Sequence, residues 1–247
     1  YDFHLNVENA DLRKLKIVKD SISYFRGDAV VSVTGNSIEN LQGNVFIKDA
    51  VYQNKKDSYI FDELNVNSSF GEDRLRTITI NSTDVINGKI VGKFQFAQLG
   101  KLAMNSVGSL YTNFKPHKVK KGQFLRFNFH IYNKVVDMLY PDIEIDSSTV
   151  VRGKIDSDQN EFKFRFNSQK ITASKNTFDN VRINIDNKNP LYNAFVELDS
   201  IKTPYYKVRD FSLINVTSKD TLFVRSEFKG GNKGEDYFNL NLYHTID

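Results

Sequence analysis

The stretch EFKFRFNS, residues 161–168, places phenylalanine at three alternate positions, with Lys163 and Arg165 between them. Successive side chains of a β-strand point to opposite faces, so Phe162, Phe164 and Phe166 form one aromatic face. Burying three such side chains is worth about 5–9 kcal/mol, which is comparable with the stability of a whole domain. The sequence therefore predicts a strand whose aromatic face must be covered.

The same alternation extends over the whole chain. Apolar residues at alternate positions, with polar neighbours between them, occur at Leu5/Val7, Val31/Val33, Val45/Ile47, Leu64/Val66, Ile78/Ile80, Phe94/Phe96, Phe127/Phe129/Ile131, Ile143/Ile145, Val181/Ile183/Ile185, Phe211/Leu213 and Phe238/Leu240/Leu242. A period of two predicts antiparallel strands with one apolar and one hydrated face. With turn sequences rich in Gly, Asn and Asp between them, roughly sixteen strands are expected. The predicted fold class is all-β.

Two segments depart from this pattern. Residues 96–114 carry apolar side chains at helical spacing, and Gly100 and Gly108 weaken that helix without forbidding it. A second, shorter helix is expected over residues 134–139, ending before Tyr140 and Pro141 as helices do ahead of proline. Two short helices are too small to cover about sixteen half-apolar strands.

Apolar positions also recur with a constant offset. Ile171, Phe178, Val181 and Ile183 are matched by Ile201, Val208, Phe211 and Leu213. The phrase FDELNV at residues 61–66 is similar to FDNVRI at residues 178–183. Either the sheet grows along one axis by adding similar hairpins, or an antiparallel protein reuses the same turn chemistry, and the sequence leaves both open.

Composition and charge exclude several classes. The 247 residues carry 34 Lys and Arg against 30 Asp and Glu, largely interspersed, which argues against nucleic-acid binding. The mean hydropathy is −0.45 and no apolar run approaches the ~18–20 residues of a membrane-spanning helix. Cysteine is absent, which excludes disulfides, thiolate metal sites and a cysteine nucleophile. Because the chain starts at Tyr1 without a signal-like segment, we expect a mature form or an internal piece of a longer protein.

One compact basic cluster, KPHKVKK at residues 115–121, is interpreted as a solvated surface turn. The alternative interpretation is a contact to an anionic lipid headgroup or a nucleic-acid phosphate.

No pattern of catalytic residues emerges. The four histidines are scattered, and no nucleophile elbow or phosphate-binding loop is present. The segment DSDQN, residues 156–160, resembles the start of a calcium-binding loop, but Glu161 stands where such a loop needs glycine. Carboxylate pairs such as Asp62/Glu63 and Asp142/Glu144 are interpreted as solvated strand faces. We therefore predict no enzyme activity, no metal site and no cofactor.

What covers the apolar face stays open on this reasoning. A second sheet would form a sandwich or barrel, another protein would dock there, or the sheet would curl around apolar ligands.

Several strand-and-turn phrases of the sequence are similar to those of one known family. The phrases are FDELNVNS (61–68), RTITINSTD (76–84), NGKIVGKF (87–94), FNFHIYN (127–133), YPDIEI (140–145), RSEFKGG (225–231) and YFNLNLYH (237–244). On these phrases the chain resembles the TamB proteins of Bacteroidota, and the resemblance covers nearly the whole chain.

The resemblance implies a fold and a function. TamB belongs with the AsmA-like, bridge-forming lipid transfer proteins, whose long antiparallel sheet bends into a U-shaped groove (a β-taco) with an apolar interior. That family is anchored in the inner membrane, crosses the periplasm, works with an outer-membrane barrel of the TamA/Omp85 type, and is implicated in phospholipid traffic and outer-membrane protein assembly. The resemblance supplies no catalytic residues.

We therefore expect residues 1–247 to form one continuous β-groove segment of a longer chain, with a helical interruption near residues 97–114. Its partners would be phospholipid acyl chains, the inner and outer membranes and the barrel, without nucleic acid. Alternation selects the candidate lining residues Phe94, Phe127, Phe129, Ile131, Phe162, Phe164, Phe166, Ile183, Phe211 and Leu240. The alternatives are a scaffold for outer-membrane β-barrel assembly and a carbohydrate-active β-solenoid.

Overall fold

The computed structural model describes residues 1–12, 14, 23–54, 57–109, 114–218, 220–231 and 233–245. Fifteen β-strands lie in this part of the chain: β1 Asp2–Asp11, β2 Ser23–Thr34, β3 Gln42–Asn54, β4 Ser58–Phe70, β5 Arg76–Asn81, β6 Ile86–Lys93, β7 Phe124–Ile131, β8 Ile143–Ile145, β9 Val150–Asp156, β10 Glu161–Ala173, β11 Asn176–Asp186, β12 Ala194–Lys202, β13 Lys207–Ser218, β14 Thr221–Gly230 and β15 Asp236–Thr245. Two α-helices, α1 Leu99–Gly108 and α2 Asn133–Leu139, lie on either side of β7 in the chain.

All fifteen strands belong to one sheet. Its order follows the chain from β1 to β15, except that β7 pairs with β9 and the short β8 pairs with β10. Every pairing is antiparallel. The sheet does not close on itself and curls into an open trough. The all-β prediction is confirmed, with fifteen described strands where about sixteen were expected.

The two helices lie at opposite long edges of the sheet. The connection that contains α1 precedes β7, and α2 follows it, so the length of one strand separates the two insertions. The predicted helix over residues 96–114 is observed as a 3₁₀ turn, Phe96–Gln98, followed by α1; residues 110–113 lie outside the described residues. The predicted second helix is confirmed as α2, which ends ahead of Tyr140 and Pro141 because the residue before proline disfavours helical backbone.

Three polar residues interrupt the alternation within long strands. Asp49, Asn180 and Asp210 each have φ +51° inside β3, β11 and β13. Asp and Asn tolerate this left-handed conformation better than β-branched residues do. At Asp49 the paired register of β3 and β4 continues on either side, but the side-chain alternation is reset, since Ile47 and Ala50, three positions apart, line the same pocket.

This reset explains the recurring apolar spacing in the sequence. In β11 the residues Phe178, Val181 and Ile183 are separated by three and then two positions, with Asn180 between the first two. The matched residues of β13 have the same spacing around Asp210. The repeat therefore marks hairpins of similar local geometry stacked along one sheet.

The core lies where α1 meets the middle of the sheet. Its buried members come from β5, the end of β6, α1, β7 and β9, and they are Ile78, Phe94, Leu102, Leu125 and Ile155. Leu102 of α1 is 1% exposed. Most other apolar side chains of the sheet are only partly buried, so the described fold has one local core rather than a second covering sheet.

The left-handed residue Asp49 generates a stability prediction. Asp49→Val is expected to lower the free energy of unfolding by about 1–2 kcal/mol, because a β-branched side chain is strained at this backbone conformation. Asp49→Gly is the matched control and is expected to change stability by less than about 0.5 kcal/mol, since glycine adopts positive φ freely. Urea denaturation of the parent and the two variants measures both values. Equal free energies of unfolding for the two variants would contradict a left-handed backbone at Asp49.

Candidate functional site

One row of directly paired residues crosses the whole sheet. It contains one residue from each of fourteen strands, and its members are Phe3, Val31, Val45, Val66, Ile80, Gly88, Phe129, Val151, Phe166, Ile183, Val196, Leu213, Ser226 and Leu240. Directly paired residues lie on the same face of a sheet. We call this face the inner face and its members the central row. Apart from one glycine and one serine, the central row is apolar from end to end.

Two glycines of the inner face are covered by aromatic rings from β7. A Cβ atom at Gly153 would lie 2.2 Å from Phe127 Cζ, and one at Gly88 would lie 2.7 Å from Phe129 Cδ1. Glycine at these positions lets the two rings, which stack with centroids 6.3 Å apart, lie flat on the backbone. The floor of the trough stays smooth and apolar where side chains are missing.

Further aromatic pairs continue this lining. Phe162 and Phe164 of β10 stack at 6.5 Å. Towards the far end, Phe228 of β14 lies 6.3 Å from Phe211 and 5.0 Å from Phe238. Offset aromatic pairs of this kind add stabilisation beyond their buried area.

The register places all ten candidate lining residues on the inner face. Phe129, Phe166, Ile183 and Leu240 belong to the central row. The next row towards α1 contains Phe127 and Phe164, both opposite Gly153. On the other side, Ile131 pairs with Ile86 and Phe211 with Leu198. Phe94 and Phe162 belong to or pack against the core beneath α1.

Helix α1 covers only part of this face. Its residues Leu99, Leu102 and Ala103 pack with Phe96 on the core, and Phe162 contacts the same cluster. Phe164 and Phe166 are neither buried nor fully exposed. Of the aromatic face in EFKFRFNS, one ring is therefore under the helix and two line the open part of the trough.

A buried arginine fastens the first end of this helical segment. Arg76 of β5 is 4% exposed and donates hydrogen bonds to the carbonyl oxygens of Ile38 (3.0 Å) and Leu41 (3.0 Å) and to Ser68 Oγ (3.1 Å). Burial lowers the pKa of the Arg76 guanidinium, and the nearby Glu39 carboxylate opposes that shift.

Glu39 connects this arginine to the helix. Its carboxylate accepts hydrogen bonds from the backbone N–H groups of Phe96 (3.0 Å) and Ala97 (3.3 Å), where the helical segment begins. Unpaired N–H groups at a helix start favour a carboxylate. The guanidinium of Arg76 also lies 4.8 Å from the centre of the Phe96 ring. The loop between β2 and β3, the arginine and the helical segment thus form one unit at the edge of the trough.

Asparagines fasten the other end of α1. Asn187, after β11, donates through Nδ2 to the carbonyl oxygen of Ser106 (2.6 Å). Asn105 exchanges two hydrogen bonds with the backbone of His117 (2.7 and 2.8 Å) and so holds the basic segment 115–121 against α1. The lysines of that segment are exposed, as the interpretation of a solvated surface turn requires.

The opposite edge of the trough contains an apolar pocket of about 340 Å³. The pocket lies between α2 and the first four strands, and its lining residues are Leu12, Phe25, Ile47, Ala50, Tyr52, Phe61, Leu64, Val85, Met138 and Leu139. Alternation alone missed Phe61, Ala50 and Tyr52, because the left-handed Asp49 resets the pattern. The spacing of three and then two between apolar residues was the signal that could have identified this part of the site.

A partly buried ion pair holds α2 over this pocket. The Lys134 ammonium binds the Asp84 carboxylate and donates to the carbonyl oxygen of Ile60 (2.6 Å). Burial alone would raise the pKa of Asp84, but hydrogen bonds from Lys134, the Ser82 hydroxyl and the Asp62 backbone N–H outweigh it and hold the pKa below its ordinary value.

The described residues show no constellation suited to metal chemistry. No three His, Asp or Glu side chains among them meet in a way that would hold a metal ion. Asp156 accepts hydrogen bonds from the backbone N–H groups of Asp158 and Gln159 (both 3.1 Å), which makes segment 156–160 an ordinary hairpin turn. Neither α1 nor α2 has the length and apolarity needed to cross a membrane.

Comparison of the chain with protein-family models, with curated proteins and with solved structures gave no match.

The buried arginine generates a prediction. Arg76→Met is expected to lower the free energy of unfolding by about 2–4 kcal/mol, because the Ile38 carbonyl and the Ser68 hydroxyl oxygen lose the guanidinium as a donor and the Leu41 carbonyl keeps only the Ser68 hydroxyl. Arg76→Lys should recover only part of this loss, since an ammonium cannot reproduce the planar fork. Arg26→Met, at an exposed arginine of β2, is the control and should be near neutral. Equal losses at positions 76 and 26, measured by denaturant unfolding, would contradict this role.

The Asp84–Lys134 pair generates a pH prediction. Because the pKa of Asp84 is lowered in the folded protein, the ionised carboxylate stabilises the fold above the ordinary value of 3.8, and this contribution is lost as the pH falls through the lower folded-state pKa. Asp84→Asn should therefore lose less thermal stability than the parent protein between pH 6 and pH 3, and Asp73→Asn in an exposed turn should behave like the parent. An equal fall in melting temperature between pH 6 and pH 3 for the parent and for Asp84→Asn would contradict this role of Asp84.

Proposed function

We propose that the trough binds phospholipid acyl chains and lets them pass along the sheet, as a segment of a TamB-like protein in the periplasm. In this proposal the phospholipid moves between inner and outer membrane, an Omp85-type barrel is the outer-membrane partner, and the transport supports outer-membrane biogenesis. The central row carries the proposal, because it is an almost unbroken apolar line across fourteen paired strands.

The dimensions suit an elongated apolar ligand. Fourteen strands at about 4.8 Å spacing give a path on the order of 60 Å across the sheet. Neighbouring rows of the inner face lie about 7 Å apart, since side chains two residues apart on a strand share a face. The core beneath α1 includes Leu125 and Ile155 of one row, and Phe127 of the next row packs against it, whereas Phe129 of the central row does not belong to this cluster.

An apolar path lowers the free energy needed to move an acyl chain out of a bilayer. Exposing one methylene to water costs about 0.8 kcal/mol, so an acyl chain of roughly sixteen carbons meets a barrier on the order of 12 kcal/mol when it leaves a bilayer unassisted. A continuous apolar floor replaces the lost lipid contacts, while the headgroup stays in water at the open side. Movement along the trough exchanges one apolar contact for the next, and no covalent step is involved.

Neighbouring residues on opposite faces provide a direct test. A photo-crosslinking amino acid is placed at Phe129 or Phe166 of the inner face, and at Asn128 or Asn167 as matched outer-face controls one position away. We expect phospholipid adducts, identified by mass spectrometry after irradiation of bacteria that produce the protein, at the two inner positions only. Equal labelling of inner and outer positions, or labelling of neither, would overturn the proposal.

A charged substitution in the floor tests passage itself. Phe164→Asp is expected to reduce lipid adducts at either Phe129 or Leu240, whichever lies beyond β10 in the direction of movement, while the protein keeps its circular-dichroism spectrum, because Phe164 lies in the partly open trough between them. Arg165→Asp, which introduces the same group on the outer face, should leave lipid adducts unchanged. If Phe164→Asp unfolds the protein, the face is a sealed core and transport is ruled out.

One observation favours a second candidate, a scaffold for β-strands of another protein. Strand β15 is exposed along its whole length and, within the described part of the chain, pairs with β14 alone, so its other edge offers backbone groups to an added strand. The crosslinking experiment separates the two functions, because a scaffold gives peptide adducts along β15 and no lipid adducts at Phe129 and Phe166.

A further inference from the structure

We propose that the outer face of the central strands is a docking surface for an acidic, extended segment of a partner protein. The surface lies opposite the trough, on strands β6, β7, β9 and β10, and it does not depend on what the trough binds. Its five exposed cations, which we call the outer basic patch, are Lys89, Lys93, Arg126, Arg152 and Arg165.

The register assembles these cations from distant parts of the sequence. In one outer-face row Lys89 of β6 is followed by Asn128 of β7, Arg152 of β9 and Arg165 of β10. The adjacent row contains Arg126, Lys154 and Lys163 as direct neighbours. Each cation alternates with an inner-face residue along its own strand, so the sequence shows only isolated charges.

Nearby carboxylates neutralise only the edge of this array. Glu161 pairs with Lys154 and with Lys163 (3.1 Å), and Asp186 pairs with Lys163 (3.3 Å). The Asp156 side chain is engaged by backbone N–H groups of its own turn. The five members of the outer basic patch form no ion pair with any residue in the described part of the chain.

Like charges directly opposite each other destabilise a sheet. Arg152 faces Arg165 across one ladder, and Arg126 faces Lys154 across the next. Elsewhere on the outer face the chain does place acids beside its cations, as where Arg182 meets Glu197 and Asp199 (3.6 and 3.4 Å). An added anion would turn the unfavourable pairs of the patch into a shared binding site.

The spacing of the patch fits carboxylates on an extended chain. Alternate residues of a strand lie about 6.6–6.8 Å apart, and this distance separates Arg126 from the Asn128 position and Arg152 from Lys154. An extended segment with Asp or Glu at alternate positions repeats at the same interval. Arginine guanidinium groups bind carboxylates through two parallel hydrogen bonds, which adds specificity to the charge attraction.

Other polyanions match the surface less well. Single-stranded nucleic acid binds through exposed aromatic platforms between its cations, whereas the two cation rows contain no aromatic side chain and Phe124, which pairs with Lys93 in a third row, is half-buried. Insertion into an anionic membrane is favoured by exposed apolar side chains, and the large exposed apolar residues of the described chain lie outside β6, β7, β9 and β10.

Binding of a fluorescein-labelled peptide of ten glutamates, measured by anisotropy with the whole protein, tests the proposal. We expect saturable binding that weakens between 20 and about 150 mM salt, where screening shortens to about 8 Å. The double variant Arg152→Glu/Arg165→Glu should bind about tenfold or more weakly. The control Lys101→Glu/Lys175→Glu has the same net charge change at exposed lysines away from the patch and should stay within about twofold of the parent.

A single variant separates loss of binding from loss of folding, and two other polyanions test which class of ligand the patch prefers. Arg152→Glu alone places opposite charges across the ladder, so a normal melting temperature is expected, and weakened binding by this folded variant supports the proposal. Phosphatidylglycerol vesicles and a ten-residue oligothymidylate are tested in parallel. If either binds more tightly than the peptide through Arg152 and Arg165, or if the control variant weakens peptide binding as much as the patch variant, the assignment to an acidic protein segment is wrong. Absence of peptide binding overturns it as well.

Discussion

The structure depends on one constraint, which is that paired strands keep their side-chain faces in register across the whole sheet. A shift by one residue at any ladder would move every following apolar side chain to the other face. From Phe3 to Leu240 the pairing avoids such a shift in the central row, even at the irregular junctions of β1–β2, β2–β3 and β13–β14. One strand register therefore determines both the trough floor and the outer basic patch, because placing a residue on the inner face places its chain neighbours on the outer face.

The two helices cover apolar parts of the inner face at the two long edges of the sheet. Helix α1 closes the core against the middle strands and is held by Arg76 and Glu39 at one end and Asn187 at the other. Helix α2 covers an apolar pocket and is held by the Lys134–Asp84 pair. Both fastenings use polar groups with several partners each, so the helices are fixed in position while the floor between them keeps its apolar surface.

Much of the fold could be predicted from the sequence, because alternation reports directly on strands and on which face each residue takes. All ten candidate lining residues lie on one face for that reason. Three features could not be predicted. The left-handed Asp49, Asn180 and Asp210 depend on local backbone geometry, the contact of Arg76 with the β2–β3 loop joins residues far apart in sequence, and the outer basic patch needs the strand order. The interspersed charges appeared balanced along the chain, yet the register collects cations at the centre of the outer face.

The strand order has a kinetic consequence. Among the described strands almost every ladder joins strands that follow one another in the chain, and the exceptions are the β7–β9 and β8–β10 pairings, which skip a strand. Folding rates fall as contacts become more distant in sequence, and most contacts between strands of this sheet join strands that are neighbours in the chain. Each new strand can pair with the strand before it as the ribosome releases the chain, so the sheet can form in chain order. Addition of strands is delayed after β7, because β9, the second neighbour of β7, is synthesised only after α2 and β8.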